Sequence, residues 1–158
     1  MKHTILYDKA EYNFDADDWP KDVPAHQAYV HTGMFLSWII DKDLFNKEFF
    51  DDFQEQKAVE ACKNRVITGA QIYEEVLDGV LTNDALNAEG NDFAKYYFDT
   101  NNWPYLKDYM EVLCKGLPSE YHVKDTWENY DKLKQRIDEN YSKWKQNKGK
   151  SFLSRLFS

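Results

Sequence analysis

Histidine is the side chain whose ordinary pKa lies nearest neutrality, and the chain holds four. His31 falls on a helical stripe with Ala28, Phe35 and Trp38 at steps of three and four, a pattern that sets its ring half-buried against a hydrogen-bonding neighbour. His26 lies five residues earlier, which turns it away from His31 on a helix, so the two are not the i, i+4 pair that grips zinc. His122 precedes Asp125 by three residues, and a bond between them would orient the imidazole. If the fold brought His31 and His122 into one pocket with Asp125 or Tyr121, the chain would be a small enzyme or ligand-binding protein. No Ser or Cys signature accompanies either ring, so a structural turn at His122 and a core histidine at 31 are the simpler expectations.

Other chemistry has less to stand on. Asp15, Asp17 and Asp18 suggest calcium, but the segment lacks the central Gly and the terminal bidentate Glu of an EF-hand loop, which leaves solvated acidity. There is no GxxxxGK[ST], GxGxxG or GxSxG run for a phosphate cradle or a hydrolase elbow. No metal site and no cofactor are expected. Cys62 and Cys114 are the sole thiols and form no CxxC, as suits a reducing compartment.

Aromatic rings in acidic company are a different kind of signal. Trp19 stands among Asp15, Asp17, Asp18 and Asp22, and Trp103-Pro104-Tyr105 marks the start of a helix. Exposed, such rings would anchor a partner while the carboxylates steer a basic surface toward them. Packed inward, they would simply cover the core. Charge favours a basic protein partner: the chain carries a formal −8, with 12 Lys and Arg against 26 Asp and Glu in residues 1–131 and 8 against 2 in residues 132–158. An acidic body thus ends in a basic tail. Such a field repels phosphate, which argues against nucleic acid and makes a membrane partner unfavourable.

The elements that would position these residues are helical. A length of 158 residues fits one core, and aromatic residues at 16% give that core large buried areas despite 30% charged residues. Residues 1–23 read as an irregular arm, with Thr4 to Tyr7 β-prone and a short hairpin available against Tyr12-Asn13-Phe14. Helices are expected over Pro24–Ile40 with one core-facing stripe and over residues 44–64 with Phe45, Phe49 and Phe53 inward. A third should follow the Thr68–Gln71 capping box and a fourth Thr82-Asn83-Asp84, carrying Leu86, Phe93 and Tyr97. A fifth should open at Pro104 and a last long one at Asp125–Glu128. The reading is all-α: an irregular bundle of about six helices in one domain, residues 1–147, with a basic amphipathic tail over 148–158. No long apolar run occurs at the N-terminus or elsewhere, so the cytoplasm is the expected location.

The segments Ala28-Tyr29-Val30-His31-Thr32-Gly33-Met34-Phe35 and Tyr121-His122-Val123-Lys124-Asp125-Thr126-Trp127-Glu128-Asn129-Tyr130 resemble a family of small uncharacterised bacterial proteins. The likeness spans most of residues 4–145 and implies a bacterial origin and a single-domain layout, but no activity and no catalytic residue. Small size, an acidic body and abundant rings point to a non-catalytic binding protein, most simply an immunity protein that neutralises a toxin by covering its basic surface. The alternatives are the histidine pocket described above, or a self-associating or membrane-adjacent accessory protein that docks through residues 148–158.

Overall fold

The computed structural model describes residues 3–157. Met1, Lys2 and Ser158, at the ends of the N-terminal segment and the basic tail, lie outside the described residues. In chain order the elements are β1 (Leu6–Lys9), the single turn α1 (Glu11–Phe14), α2 (Val30–Asp41), α3 (Phe53–Lys63), α4 (Gly69–Glu75), β2 (Val80–Thr82), α5 (Ala88–Tyr97), α6 (Pro104–Leu113) and α7 (Trp127–Phe157). The molecule is mostly helical, with a small two-stranded sheet formed by β1 and β2.

At the centre lies α2. Its sequence, Val-His-Thr-Gly-Met-Phe-Leu-Ser-Trp-Ile-Ile-Asp, is apolar nearly all round, and ten of its twelve residues are buried. A helix with that pattern must be surrounded, which corrects the expectation of a single core-facing stripe. Its first part also differs: Ala25–Tyr29 form a tighter 3-10 turn before the α-helix begins. Around it pack Phe93, Tyr97, Tyr105, Tyr109, Tyr130 and Leu133, all essentially inaccessible to solvent.

Contact between α2 and α4 is backbone to backbone. A Cβ on Gly33 would lie 2.2 Å from the Ala70 Cα, and one on Gly69 would lie 2.1 Å from the Gly33 carbonyl oxygen. The Gly69 N–H donates to the Ser37 Oγ at 2.9 Å, so the approach also satisfies a buried donor. Helix α4 starts where the capping box places it: Thr68 Oγ1 accepts from the Gln71 N–H, and the Gln71 side chain accepts from the Thr68 N–H.

Three local expectations differ from the structure. Residues 44–52 are turns, not helix; Phe45 is buried by a bridge to Leu86 while Phe49 and Phe53 are exposed, and α3 begins only at Phe53 behind the Asp52–Glu55 capping box. β1 pairs antiparallel with β2, 70 residues away, and Glu11–Phe14 coil into α1. Thr82 caps a short 3-10 turn over Asn83–Ala85, and Asn87 is the true cap of α5. At the other end α7 runs unbroken through the basic segment. Lys145 meets Glu89 at 3.3 Å and Lys148 meets Asp92 at 3.3 Å, whereas Phe152, Leu153, Leu156 and Phe157 are exposed. Among the described residues no helix is long and apolar enough to cross a membrane.

A polar lock holds the segment before α7 to the helices beneath it. Asp125 Oδ2 accepts from Thr68 Oγ1 at 2.6 Å and lies 2.8 Å from His26 Nε2, while His26 Nδ1 lies 3.2 Å from Glu74. The Asp125 bond, opposed by burial and helped by Glu74, raises the His26 pKa to about 9. The protonated ring is therefore favoured by the fold. Its stabilisation is complete below the unfolded value near 6.5 and disappears as pH rises through about 9.

Two outcomes follow from these contacts. Gly33→Ala should lower stability by about 3 kcal/mol and the Tm by roughly 10 °C, because its neighbour is backbone that cannot rotate aside; calorimetry checks this. The stability gap between wild type and His26→Gln, measured by urea unfolding, should be widest near pH ~6 and shrink toward zero by about pH 10. A gap that widens with pH would contradict the lock.

Candidate functional site

The residues with chemical potential fall into three places. His31 lies at the start of α2 and opens on a cavity of about 200 Å³ lined by Tyr7, Asp8, His31, Phe98, Asp99, Trp103, Tyr105 and Leu106. Trp103 and Tyr105 thus share a site with His31. Tyr121 and His122 lie instead with Trp19 and Asp22, and Asp125 belongs to the His26 lock. The four residues His31, Tyr121, His122 and Asp125 accordingly have different partners, and the cavity at His31 is lined by none of the other three.

A bulge in β1 builds the first wall of the cavity. Leu6 pairs with Thr82 and Asp8 with Leu81, which leaves Tyr7 as the extra residue. In a regular strand, neighbouring side chains point to opposite faces; the bulge re-aims them, and both Tyr7 and Asp8 line the cavity. Asp8 Oδ2 accepts from Thr32 Oγ1 at 2.7 Å and from the Tyr73 hydroxyl at 2.8 Å, so one carboxylate ties β1 to α2 and α4. His31 Nε2 lies 3.2 Å from the same Thr32 oxygen. Since the threonine proton goes to Asp8, the ring N–H is the donor in that contact, which fixes the proton on Nε2. The Tyr7 hydroxyl donates to Asn91 Oδ1 at 2.7 Å, and burial with Asp99 and Asp92 nearby pushes its pKa up to about 12.

The second wall comes from the end of α5 and the start of α6. Tyr105 is 1% exposed, so it forms a wall and not an exposed anchor; its hydroxyl donates to the His31 carbonyl oxygen. Its ring packs on Phe98 at 5.3 Å. Trp103 is the opposite case, 63% exposed at the mouth. Its backbone is left-handed, with φ of 46° and ψ of 55°. For a bulky residue directly before a proline that conformation costs about 1–3 kcal/mol. The turn that imposes it is closed by the Trp103 N–H to the Thr100 carbonyl, and Pro104 then starts α6.

On the acidic arm, Asp15, Asp17, Asp18 and Asp22 are exposed. Trp19 is half-buried: its ring packs at 5.1 Å on Phe14 and edge-on at 5.0 Å on Tyr121. It is therefore the clasp of the arm and not its exposed anchor; the exposed rings there are Tyr12 and Phe14. His122 completes the clasp, with Nε2 3.2 Å from Asp22 and Nδ1 2.8 Å from Ser119 Oγ. This Ser–His–Asp succession lies on a surface turn. The Ser119 oxygen also accepts the Tyr121 N–H as the cap of a 3-10 turn, and the Asp22 side chain is 74% exposed. Such geometry orders the turn.

Sequence reasoning missed Tyr7, Asp8, Phe98 and Asp99 as cavity residues, and His26 as the partner of Asp125. Adjacent aromatic and acidic residues in a β-prone run, Tyr7-Asp8, were the available local signal. Among the described residues no group of three or more His, Cys, Asp or Glu is placed to hold a metal ion.

Known proteins add a family but no activity. No curated protein and no solved structure matches the chain. A family model described as a domain of unknown function (DUF7832) matches residues 6–123, a span that includes β1, α2 and both walls of the cavity and stops short of α7; the chain belongs to that family.

Proposed function

We propose that this protein is a binding module for a basic protein partner, and that it serves as a bacterial immunity protein, neutralising a toxin by covering a cationic surface. The observation that carries the reading is the ordered acidic arm. Asp15, Asp17 and Asp18 stand exposed beside the exposed rings of Tyr12 and Phe14, while the Trp19–Tyr121 contact and the Asp22–His122 pair fix the segment to the body. Carboxylates held in place steer a cationic partner, and rings held in place bury area without a large ordering cost on binding. The net of −14 over residues 1–131 extends the same field across the body.

The experiment uses the full chain as bait in cells of its source. One basic polypeptide should be retained in 1:1 ratio, released as salt rises to about 0.5 M, and be toxic when expressed without this protein. Replacing Asp15, Asp17 and Asp18 together by Asn should weaken retention by at least about tenfold while leaving the Tm unchanged, because the three are exposed and none is in an ion pair among the described residues. Undiminished retention by that variant, or a partner that is acidic and harmless, contradicts the proposal.

A further inference from the structure

The cavity beside His31 has a composition that selects one class of ligand. Four of its eight lining residues are Tyr7, Phe98, Trp103 and Tyr105; two are carboxylates, Asp8 and Asp99; His31 and Leu106 complete it, and among the described residues no Lys or Arg contributes. Aromatic faces attract cations through their quadrupole, most strongly where water is excluded, and carboxylates at the same site add a net negative field. At about 200 Å³ the space is smaller than the roughly 300 Å³ at which drug-sized ligands begin to fit. It suits one cationic head and a short stem.

We infer that this cavity is a binding site for an organic cation, an ammonium or guanidinium group on a short aliphatic chain, held between the Trp103 ring and the carboxylates of Asp8 and Asp99.

Three features support that assignment beyond composition. Asp8 is oriented before any ligand arrives: Oδ2 is held by Thr32 and Tyr73, and Oδ1 has no partner among the described residues. Asp99 is exposed and lines the cavity, and its carboxylate has no cation paired with it among the described residues. Burial, with Asp99 and Asp92 adding to it, also holds the proton on Tyr7. Trp103 is the third feature. Its ring buries too little surface for core packing to account for its identity, yet it occupies a left-handed position that glycine would fill without strain. Strain retained at the mouth of a cavity is the pattern of a residue kept for what its side chain touches.

The inference does not rest on the acidic arm, which lies against Tyr121 and not against this cavity. The same chemistry could reach the site from a free amine or from a lysine or arginine side chain of a protein. Both are tested with the full chain labelled with ¹⁵N at tryptophan, the Trp103 indole signal being identified by its loss in Trp103→Gly. At constant ionic strength, n-butylammonium should shift that signal saturably, and n-butanol and butyrate should not. Asp99→Asn should weaken the butylammonium response by at least about tenfold.

Two further arms identify the source of the cation. Tighter binding of putrescine than of a capped Gly-Lys-Gly or Gly-Arg-Gly peptide assigns the site to a free amine, and the reverse order assigns it to a protein side chain. Trp103→Gly should abolish butylammonium binding in calorimetry while its Tm stays level or rises, since the left-handed strain is removed. Equal shifts from butanol and butylammonium, an unchanged response in Asp99→Asn, or butylammonium binding retained by Trp103→Gly would each overturn the inference. Loss of partner retention by the arm variant with butylammonium binding intact would separate failure of the arm from failure of this site.

Discussion

The backbones of α2 and α4 touch because Gly33 and Gly69 have no side chains to keep them apart, and most of the remaining structure is arranged around that contact. An apolar helix surrounded on every side can be covered only if some neighbours come unusually close and others contribute large rings. Both are found here: α4 approaches at glycine distance, while α5, α6 and α7 supply Phe93, Tyr97, Tyr105, Tyr109 and Tyr130. Several core rings have their polar ends bonded at the periphery, Tyr97 to Asp108, Tyr130 to Asp41 and Trp38 to Asp138, whereas the buried Tyr109 hydroxyl has no partner among the described residues. The acidic composition therefore has a structural use as well as an external one. Carboxylates accept the hydroxyl and indole donors that a ring-rich core brings with it.

The same contact shapes the cavity. Asp8 can reach Thr32 and Tyr73 at once only because α2 and α4 lie side by side, and the bulge at Tyr7 then directs two consecutive side chains into one space. On the far wall Tyr105 fastens α6 to the first turn of α2 through the His31 carbonyl. Three part-buried polar contacts thus hold a site whose mouth, at Trp103 and Asp99, is exposed. A rigid floor beneath an accessible rim is how a binding site keeps its shape without a ligand.

Local signals in the sequence were legible wherever the deciding interaction is itself local. The Thr68–Gln71 box, Pro104 at the first turn of α6 and the period of Tyr130, Leu133 and Ile137 in α7 depend on neighbours within a turn or two, and each is where the pattern places it. The spacing of Phe45, Phe49 and Phe53 misled because side chains four apart need not share a helix. Phe45 is buried by a bridge to Leu86, and it is Phe50 that joins it in the core. Strand β1 could not be paired from its surroundings, since its partner lies beyond four helices, α1 to α4. For the same reason Trp103 and His31 were visible individually but their common cavity was not. Asp8, which lines it with them, has its partners 24 and 65 residues away. The His26–Asp125 pair spans 99 residues, so it hid the lock and made His122 look like the natural partner of Asp125.

Native-state hydrogen exchange of the α2 backbone tests the central claim most directly, namely that a helix fixed by its contact with α4 organises the molecule. Amides from Met34 to Ile40 should exchange only through global unfolding, with a free energy equal to that from urea denaturation and with its full denaturant dependence. Exchange of those amides through a smaller opening, while the Tyr130–Ile137 turns of α7 remain protected, would contradict the account.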